Sequence, residues 1–310
     1  MAFQNPFRPS KTALVERRIQ LVQSLLSHGR VQEADAEIRQ VIETSRTSLG
    51  AEHQLTVTAR VVHSATLYVA GRYAECEETA RALAADRAHL RGDHLALAAL
   101  SHAAQAVSAQ GGHAEALRQQ DELLPYFIRI HGQEHPLTLK LRSDRAQTLG
   151  YLARYEESEA ESRSLIALAG QGKEPSHRML SLSARNALSY AQSGSSRFTE
   201  AETTAREALA GAQGEDRFTS VLRLALIRAL NGQQRYEEAL TELAALPELQ
   251  TPAETGTREL ARATALRGQG RRTEAETEAR SALAAITRAL GPEHRRAQEA
   301  QDLLGTLADD

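Results

Sequence analysis

Apolar residues recur along the chain at helical spacing, in blocks that run up to a Gly or polar turn and resume beyond it. The turn itself repeats. Its copies read Gly29-Arg30-Val31-Gln32-Glu33-Ala34, Gly71-Arg72-Tyr73-Ala74-Glu75-Cys76, Gly111-Gly112-His113-Ala114-Glu115-Ala116 and Ala153-Arg154-Tyr155-Glu156-Glu157-Ser158. Three more follow: Ser196-Arg197-Phe198-Thr199-Glu200-Ala201, Gln234-Arg235-Tyr236-Glu237-Glu238-Ala239 and Gly270-Arg271-Arg272-Thr273-Glu274-Ala275. Their first residues are 42, 40, 42, 43, 38 and 36 apart, a period at which helical-repeat solenoids lie. The Gly, free to take positive φ, ends a first helix. Val31, Tyr73, Tyr155, Phe198 and Tyr236 plug the gap between antiparallel helices, and the small residues Ala34, Cys76, Ala116, Ser158, Ala201, Ala239 and Ala275 let the pair approach closely. Seven residues on, Val41, Leu83, Leu123, Leu165 and Leu246 fall on the same face of the second helix. Such a pair cannot bury its apolar face alone and stacks on its neighbours.

The expected fold class is therefore all-α: about seven helix-turn-helix repeats in a single solenoid domain over residues 11–308. Residues 1–10 form an N-terminal arm, and a capping helix near 294–307 carries Ala297, Ala300, Leu303, Leu304 and Leu307. Extra residues around Gly194 and Gly232 leave the helix phase open there, and Pro247 and Pro252 imply a short second helix in the sixth unit. Pro125, inside a second helix, is expected to kink or break it.

A second motif lies between units: Leu49-Gly50-Ala51-Glu52-His53, Arg91-Gly92-Asp93-His94, His131-Gly132-Gln133-Glu134-His135-Pro136 and Leu290-Gly291-Pro292-Glu293-His294. The Gly closes a second helix, and the acidic-His stretch opens the next first helix. Together the two motifs resemble tetratricopeptide repeats, in the roughly 42-residue variety of kinesin light chains that many bacterial regulators also carry. The resemblance covers nearly the whole chain. It implies a right-handed superhelix whose first helices line a concave groove that holds a protein or peptide. The last three units lack the Gly-acidic-His opening; in its place stand Gly170 to His177, Gly214-Glu215-Asp216 and Pro247 to Pro252.

Composition narrows the function by exclusion. A net charge of −3 and a pI near 6.4 argue against direct binding of nucleic acid or an anionic membrane. The single Cys76 excludes a disulfide framework, and its small-residue position predicts a buried, inert thiol. No stretch approaches about 18 apolar residues, and the first ten residues, Pro-rich and without a continuous apolar core, do not read as a signal peptide. A cytoplasmic protein is expected. No P-loop, dinucleotide turn, metalloprotease helix or nucleophile elbow appears, so neither catalysis nor a cofactor is expected. His53, His94 and His135 recur one repeat apart, too far apart to share a metal, and read as helix-opening residues.

The middle of the first helices is where the resemblance places ligand contacts, often through an Asn. Carried over position by position, it gives Gln20, Val62, His102 and Asp144, then Asn186 or Arg185, then Arg223 or Ala225; only Asn186 keeps the family residue. His63 lies on a first helix and is a further candidate. Arg142, Arg145, Arg185, Arg223, Arg228 and Arg262 crowd the C-terminal half, and guanidinium forks suit carboxylates, so an acidic protein or peptide fits as partner; pairing with neighbouring Glu is the competing reading. Tyr68, Tyr151 and Tyr190 stand near first-helix ends, where a ring stacks on a ligand or fills the next turn. The stretch 123–130 is the most apolar, and Tyr126, Phe127 and Ile128 form a candidate patch for a partner or a second copy. The reading is a non-enzymatic adaptor or regulator. Its alternatives are a peptide- or small-molecule-sensing switch and a component of a biosynthetic pathway.

Overall fold

A computed structural model describes residues 10–87, 93–172, 175–212, 216–246 and 254–309. Residues 1–9 of the arm, Arg91, Gly92, Lys173, Glu174, Gly214, Glu215, Pro247 and Pro252 lie outside the described residues. Fifteen helices occur among those described: α1 Lys11–Ser27, α2 Val31–Leu49, α3 Gln54–Val69, α4 Tyr73–Asp86, α5 His94–Ala109, α6 His113–His131, α7 Pro136–Tyr151 and α8 Tyr155–Ala169. The series continues with α9 Pro175–Gly194, α10 Phe198–Gly211, α11 Asp216–Gly232, α12 Tyr236–Ala244, α13 Thr257–Gly268, α14 Arg272–Leu290 and α15 Arg295–Asp309. That is seven pairs and a capping helix, with no strand among the described residues. They group into two compact units, residues 1–106 and 107–310.

In unit 1, α1 packs on α2, α2 on α3, α3 on α4, and α1 also on α3. In unit 2, α6 packs on α7, and α8, α10, α12 and α14 each pack on their own first helix and on the next, while the first helices α7, α9, α11, α13 and α15 also pack successively on one another. These first helices make one continuous wall. All seven small residues of the turn motif are completely buried. Val41, Leu83, Leu123, Leu165 and Leu246 are buried as well, as their spacing predicts.

The turn holds its geometry whether or not Gly is present. Gly29, Gly71, Gly111 and Gly270 have positive φ, and so do the residues that replace Gly: Ala153 at 58°, Ser196 at 60° and Gln234 at 62°. In each of these turns the next N–H reaches back to the last helical turn, as from Arg30 to the Leu25 carbonyl and from Arg235 to that of Leu230. Gly194 and Gly232 are therefore not turn residues; they are the last residues of α9 and α11. Their role is to receive an aromatic plug from the preceding repeat. A Cβ on Gly194, Gly232 or Gly268 would overlap the ring of Tyr155, Phe198 or Tyr236 respectively.

A ladder of ion pairs also links repeats. The turn Arg pairs with the Glu three residues on, as in Arg154–Glu157 and Arg235–Glu238 at 2.6 Å. It also reaches the acidic residue after the small residue of the previous repeat. The pairs are Arg72–Asp35 in unit 1, and Arg197–Glu159 and Arg235–Glu202 in unit 2. The His residues of the second motif open helices: Nδ1 of His53, His135 and His294 accepts the N–H of Leu55, Leu137 and Arg296 at 3.2 Å. In the remaining copy Asp93 takes this role, accepting from Leu95 at 2.8 Å.

Two expectations shift. The helix α6 continues unbroken through Pro125 from His113 to His131. Proline removes one hydrogen bond, and the buried face of Ala116, Gln120, Leu123 and Phe127 holds the helix together. As expected for the sixth unit, its second helix, α12, is short at 9 residues.

Candidate functional site

Four first-helix residues of unit 2 stand six positions before the turn residue: Gln147, Tyr190, Arg228 and Thr264. On α9 and α11 these are the aromatic and the cation, and adjacent repeats bring them together. The Arg228 guanidinium lies 4.5 Å from the Tyr190 ring centroid. The Tyr190 edge meets Tyr151 with 5.4 Å between centroids, and Tyr151 in turn lies 4.9 Å from the His113 ring. Gln147 donates to the Tyr151 hydroxyl at 2.7 Å. Burial pushes the Tyr190 phenol above its ordinary pKa.

The last helix reaches the same place. Arg295, the first residue of α15, lies 5.2 Å from the Tyr151 centroid and 5.8 Å from that of Tyr190. It pairs with Glu299 one turn on, but its Nε is buried without a hydrogen-bond partner. Before it, His294 is 6% exposed and packs against Gly111, and its ring also hydrogen-bonds the Ala109 backbone. Burial first, then the neighbouring cations Arg296 and Arg295, push the His294 imidazole down to about 4. His113 falls to about 4 through burial and then Arg295. Repeats of a solenoid ordinarily touch only their neighbours. Here residues more than 100 positions apart in sequence meet, which closes unit 2 on itself.

Most of the expected groove cations point elsewhere. Arg142 pairs with Glu161 at 2.7 Å, Arg145 with Asp121 at 2.5 Å, Arg185 with Glu207 at 2.8 Å and Arg262 with Glu278 at 3.4 Å; Arg223 also pairs, with Glu242. Each partner lies on a second helix. Arg228, five residues from Arg223, faces away from that layer; it is exposed and has no carboxylate partner among the described residues. Arg185 lines an outer groove of about 470 Å³ between α8, α9 and α10, whose cations Arg185 and Arg163 are already paired with Glu207 and Glu159. Asn186 is half-buried one turn before Tyr190, with no hydrogen bond to its side chain among the described residues. Asp144 is bound by Lys140 at 2.7 Å.

In unit 1, Gln20 is exposed on α1. His63 turns toward Asp35 at 3.4 Å, and burial lowers its pKa. The Nδ1 of His102 lies 2.8 Å from the Ser64 hydroxyl. Burial pushes the Cys76 thiol up to about 12, so it stays protonated. The apolar stretch on α6 divides: Phe127 is core, Ile128 half-buried, and Tyr126 exposed beneath Arg129 at 5.0 Å. No three His, Cys, Asp or Glu among the described residues cluster to hold a metal, and no described helix is long and apolar enough to cross a membrane.

Comparison places this arrangement among known folds. Residues 96–137 and 261–296 match the tetratricopeptide repeat family. A tetratricopeptide repeat protein from Parabacteroides merdae is similar over 95% of this chain and 98% of that one, with a TM-score of 0.55 at 12% identity. The chain folds as an array of tetratricopeptide repeats. Rap protein, in complex with Competence and Sporulation Factor, is similar over 96% of this chain and 98% of that one (TM-score 0.60, 10% identity). Bacillus thuringiensis PlcR, in complex with the peptide PapR7 and DNA, is similar over 96% and 99% (TM-score 0.55, 16% identity). No curated protein sequence matches the chain. Within the repeat array, the sequence singles out Tyr151, Tyr190 and Arg228 but not His113 or Arg295. The common six-residue offset from the turn is the signal that joins Tyr190 to Arg228. Nothing in a nearest-neighbour pattern signals Arg295.

Proposed function

We propose that the chain is a non-enzymatic, cytoplasmic adaptor or regulator that holds an acidic peptide or protein segment against the first-helix wall of unit 2. The carrying observation is Arg228, an exposed guanidinium without a carboxylate of its own, on a wall where the other candidate cations are already paired. Asn186 adds an amide able to meet a peptide backbone, and Tyr190 a ring against which its side chains pack. The wall is fixed by helix packing, so little ordering is lost on binding. Rap and PlcR, of the same fold, were solved with Competence and Sporulation Factor and with the peptide PapR7, which supports a peptide as ligand.

Titrating fluorescein-labelled acidic, neutral and basic decapeptides by anisotropy tests this. Acidic peptides are expected to bind most tightly, and the double variant Asn186→Ala/Arg228→Glu to weaken them about tenfold or more. Equal affinity for the three charge classes, or full affinity in the double variant, would move the site off this wall.

A further inference from the structure

Four first helices show which of their faces stacks on the repeat before. Twelve residues ahead of the turn residue stand Ala59 on α3, Ala99 on α5, Ala184 on α9 and Leu222 on α11. All four are completely buried, and each shares a core cluster with the preceding repeat. Ala59 clusters with Val22 and Ile38, Ala99 with Val57 and Leu83, Ala184 with Leu139 and Leu165, and Leu222 with Leu182 and Ala208.

The same position on α1 holds Arg17. Here the stacking face is open: Leu14 is 46% and Leu21 48% exposed, Arg17 and Ser24 are exposed too, and no repeat precedes α1 among the described residues. Leu14 and Leu21 are two turns apart on one stripe, with Arg17 between them. The terminal α15 instead turns Gln298, Gln301 and Asp302 outward, the polar surface with which a repeat array ordinarily ends in water.

Charge selects what covers the stripe. Arg17 has no ion pair among the described residues, whereas Arg18 turns inward to Glu37 at 2.6 Å. A second copy packed antiparallel across a two-fold axis, Leu14 on Leu21, would set the two Arg17 side chains opposite each other, and like charges oppose that pairing. Residues 1–9 bring Arg8 and no acidic residue. The complement of an unpaired guanidinium is a carboxylate. The shape required is that of α2, which covers α3 with a helical row including Ile38 and Val41.

We propose that the stripe Leu14–Arg17–Leu21 docks an acidic amphipathic helix of another protein, in the place a preceding second helix would take. Two apolar residues of that helix lie on Leu14 and Leu21, and a carboxylate meets Arg17. This surface belongs to unit 1 and does not depend on the peptide-binding reading of unit 2.

The probe is a fluorescein-labelled amphipathic peptide of about 18 residues, long enough to be helical, built of Leu, Ala and Glu. It and a twin with Lys for Glu are titrated by anisotropy against the full chain. The Glu peptide is expected to bind about tenfold or more tighter than its twin. Arg17→Glu should reverse that preference, and Leu14→Ser/Leu21→Ser should weaken the Glu peptide about tenfold or more. The replaced side chains are exposed, so the helical spectrum should not change. Leu137→Ser, at an exposed leucine of unit 2, should retain the affinity, and so should Asn186→Ala/Arg228→Glu. Equal binding of the two peptides, or full affinity in either α1 variant, overturns the proposal. A dimer in sedimentation equilibrium that Leu14→Ser/Leu21→Ser dissolves would overturn it in favour of a second copy. Affinity that appears only in Phe3→Ser/Phe7→Ser would overturn it in favour of the chain's own first residues. Binding lost in Asn186→Ala/Arg228→Glu but kept in the α1 variants would overturn it while leaving the unit 2 reading intact.

Discussion

Gly232, the last residue of α11, and Gly305, inside α15, have opposite reasons to be there. A methyl on Gly232 would overlap the Phe198 ring, whereas nothing lies within 4 Å of one on Gly305. Gly232→Ala should therefore cost about 1–3 kcal/mol through overpacking, while Gly305→Ala should gain up to about 1 kcal/mol from helix propensity. Urea midpoints of the two variants check this, and a neutral Gly232→Ala would mean that the plug moves freely. His113 and His294 set a pH dependence at the same scale. Folding holds both near 4, whereas an unfolded chain titrates near the ordinary value of 6.5. Between those values the unfolded chain binds the extra protons, so stability is full above about 6.5, falls as pH drops toward 4 and levels off below it. The loss is on the order of 3 kcal/mol per His. Carboxylates also titrate in this range, so the quantity to measure is the difference between wild type and His113→Gln/His294→Asn. The variant should lose less stability between pH 7 and 4, and parallel curves would refute the assignment.

Among the elements, the link between successive repeats rests on a small set of partly buried acids. Glu202, whose side chain is 12% exposed, accepts from Gln233 at 2.7 Å and pairs with Arg235 at 2.5 Å and Arg206 at 2.8 Å. The Arg235–Glu238 pair is 36% and 53% exposed, a setting where ion pairs contribute little. Glu202→Gln should thus cost about 1–2 kcal/mol, and Glu238→Gln less than about 0.5 kcal/mol. Chemical denaturation of both variants gives the ranking, and equal effects would show that the inter-repeat link is not special. The same logic explains why turns tolerate Ala153, Ser196 and Gln234 at positive φ. Packing of the plug and the small residue on both sides over-determines the bend, so the conformational cost of a non-Gly residue is absorbed.

Across the molecule, the two terminal helices differ in what holds them. In unit 1, α1 packs on α2 and α3, its nearest neighbours. In unit 2, α15 packs on α14 and α13 and also touches Gly111, Tyr151 and Tyr190 far back in the chain. Terminal helices of repeat arrays fray first. Amide exchange is expected to show the start of α15 better protected than α1, and equal protection would mean that the long-range contact is rarely made.

The helix pairs, their count, the buried small residues and the capping helix were all readable in the amino-acid order, because each depends on contacts within a repeat or with the next one. A motif recurring every 36 to 43 residues records such contacts directly. The candidate site was legible in part. Asn186, Tyr151, Tyr190 and Arg228 lie on first helices, where the repeat motif puts them. Which cations are free was not legible, because pairing depends on helix rotation: 100° per residue separates Arg223, turned to Glu242, from Arg228, turned to Tyr190. The partnership of Arg295 with Tyr151 and Tyr190 was wholly out of reach. It follows from the small rotation between neighbouring repeats accumulated over several of them, a sum that no local pattern encodes and only the tertiary structure decides.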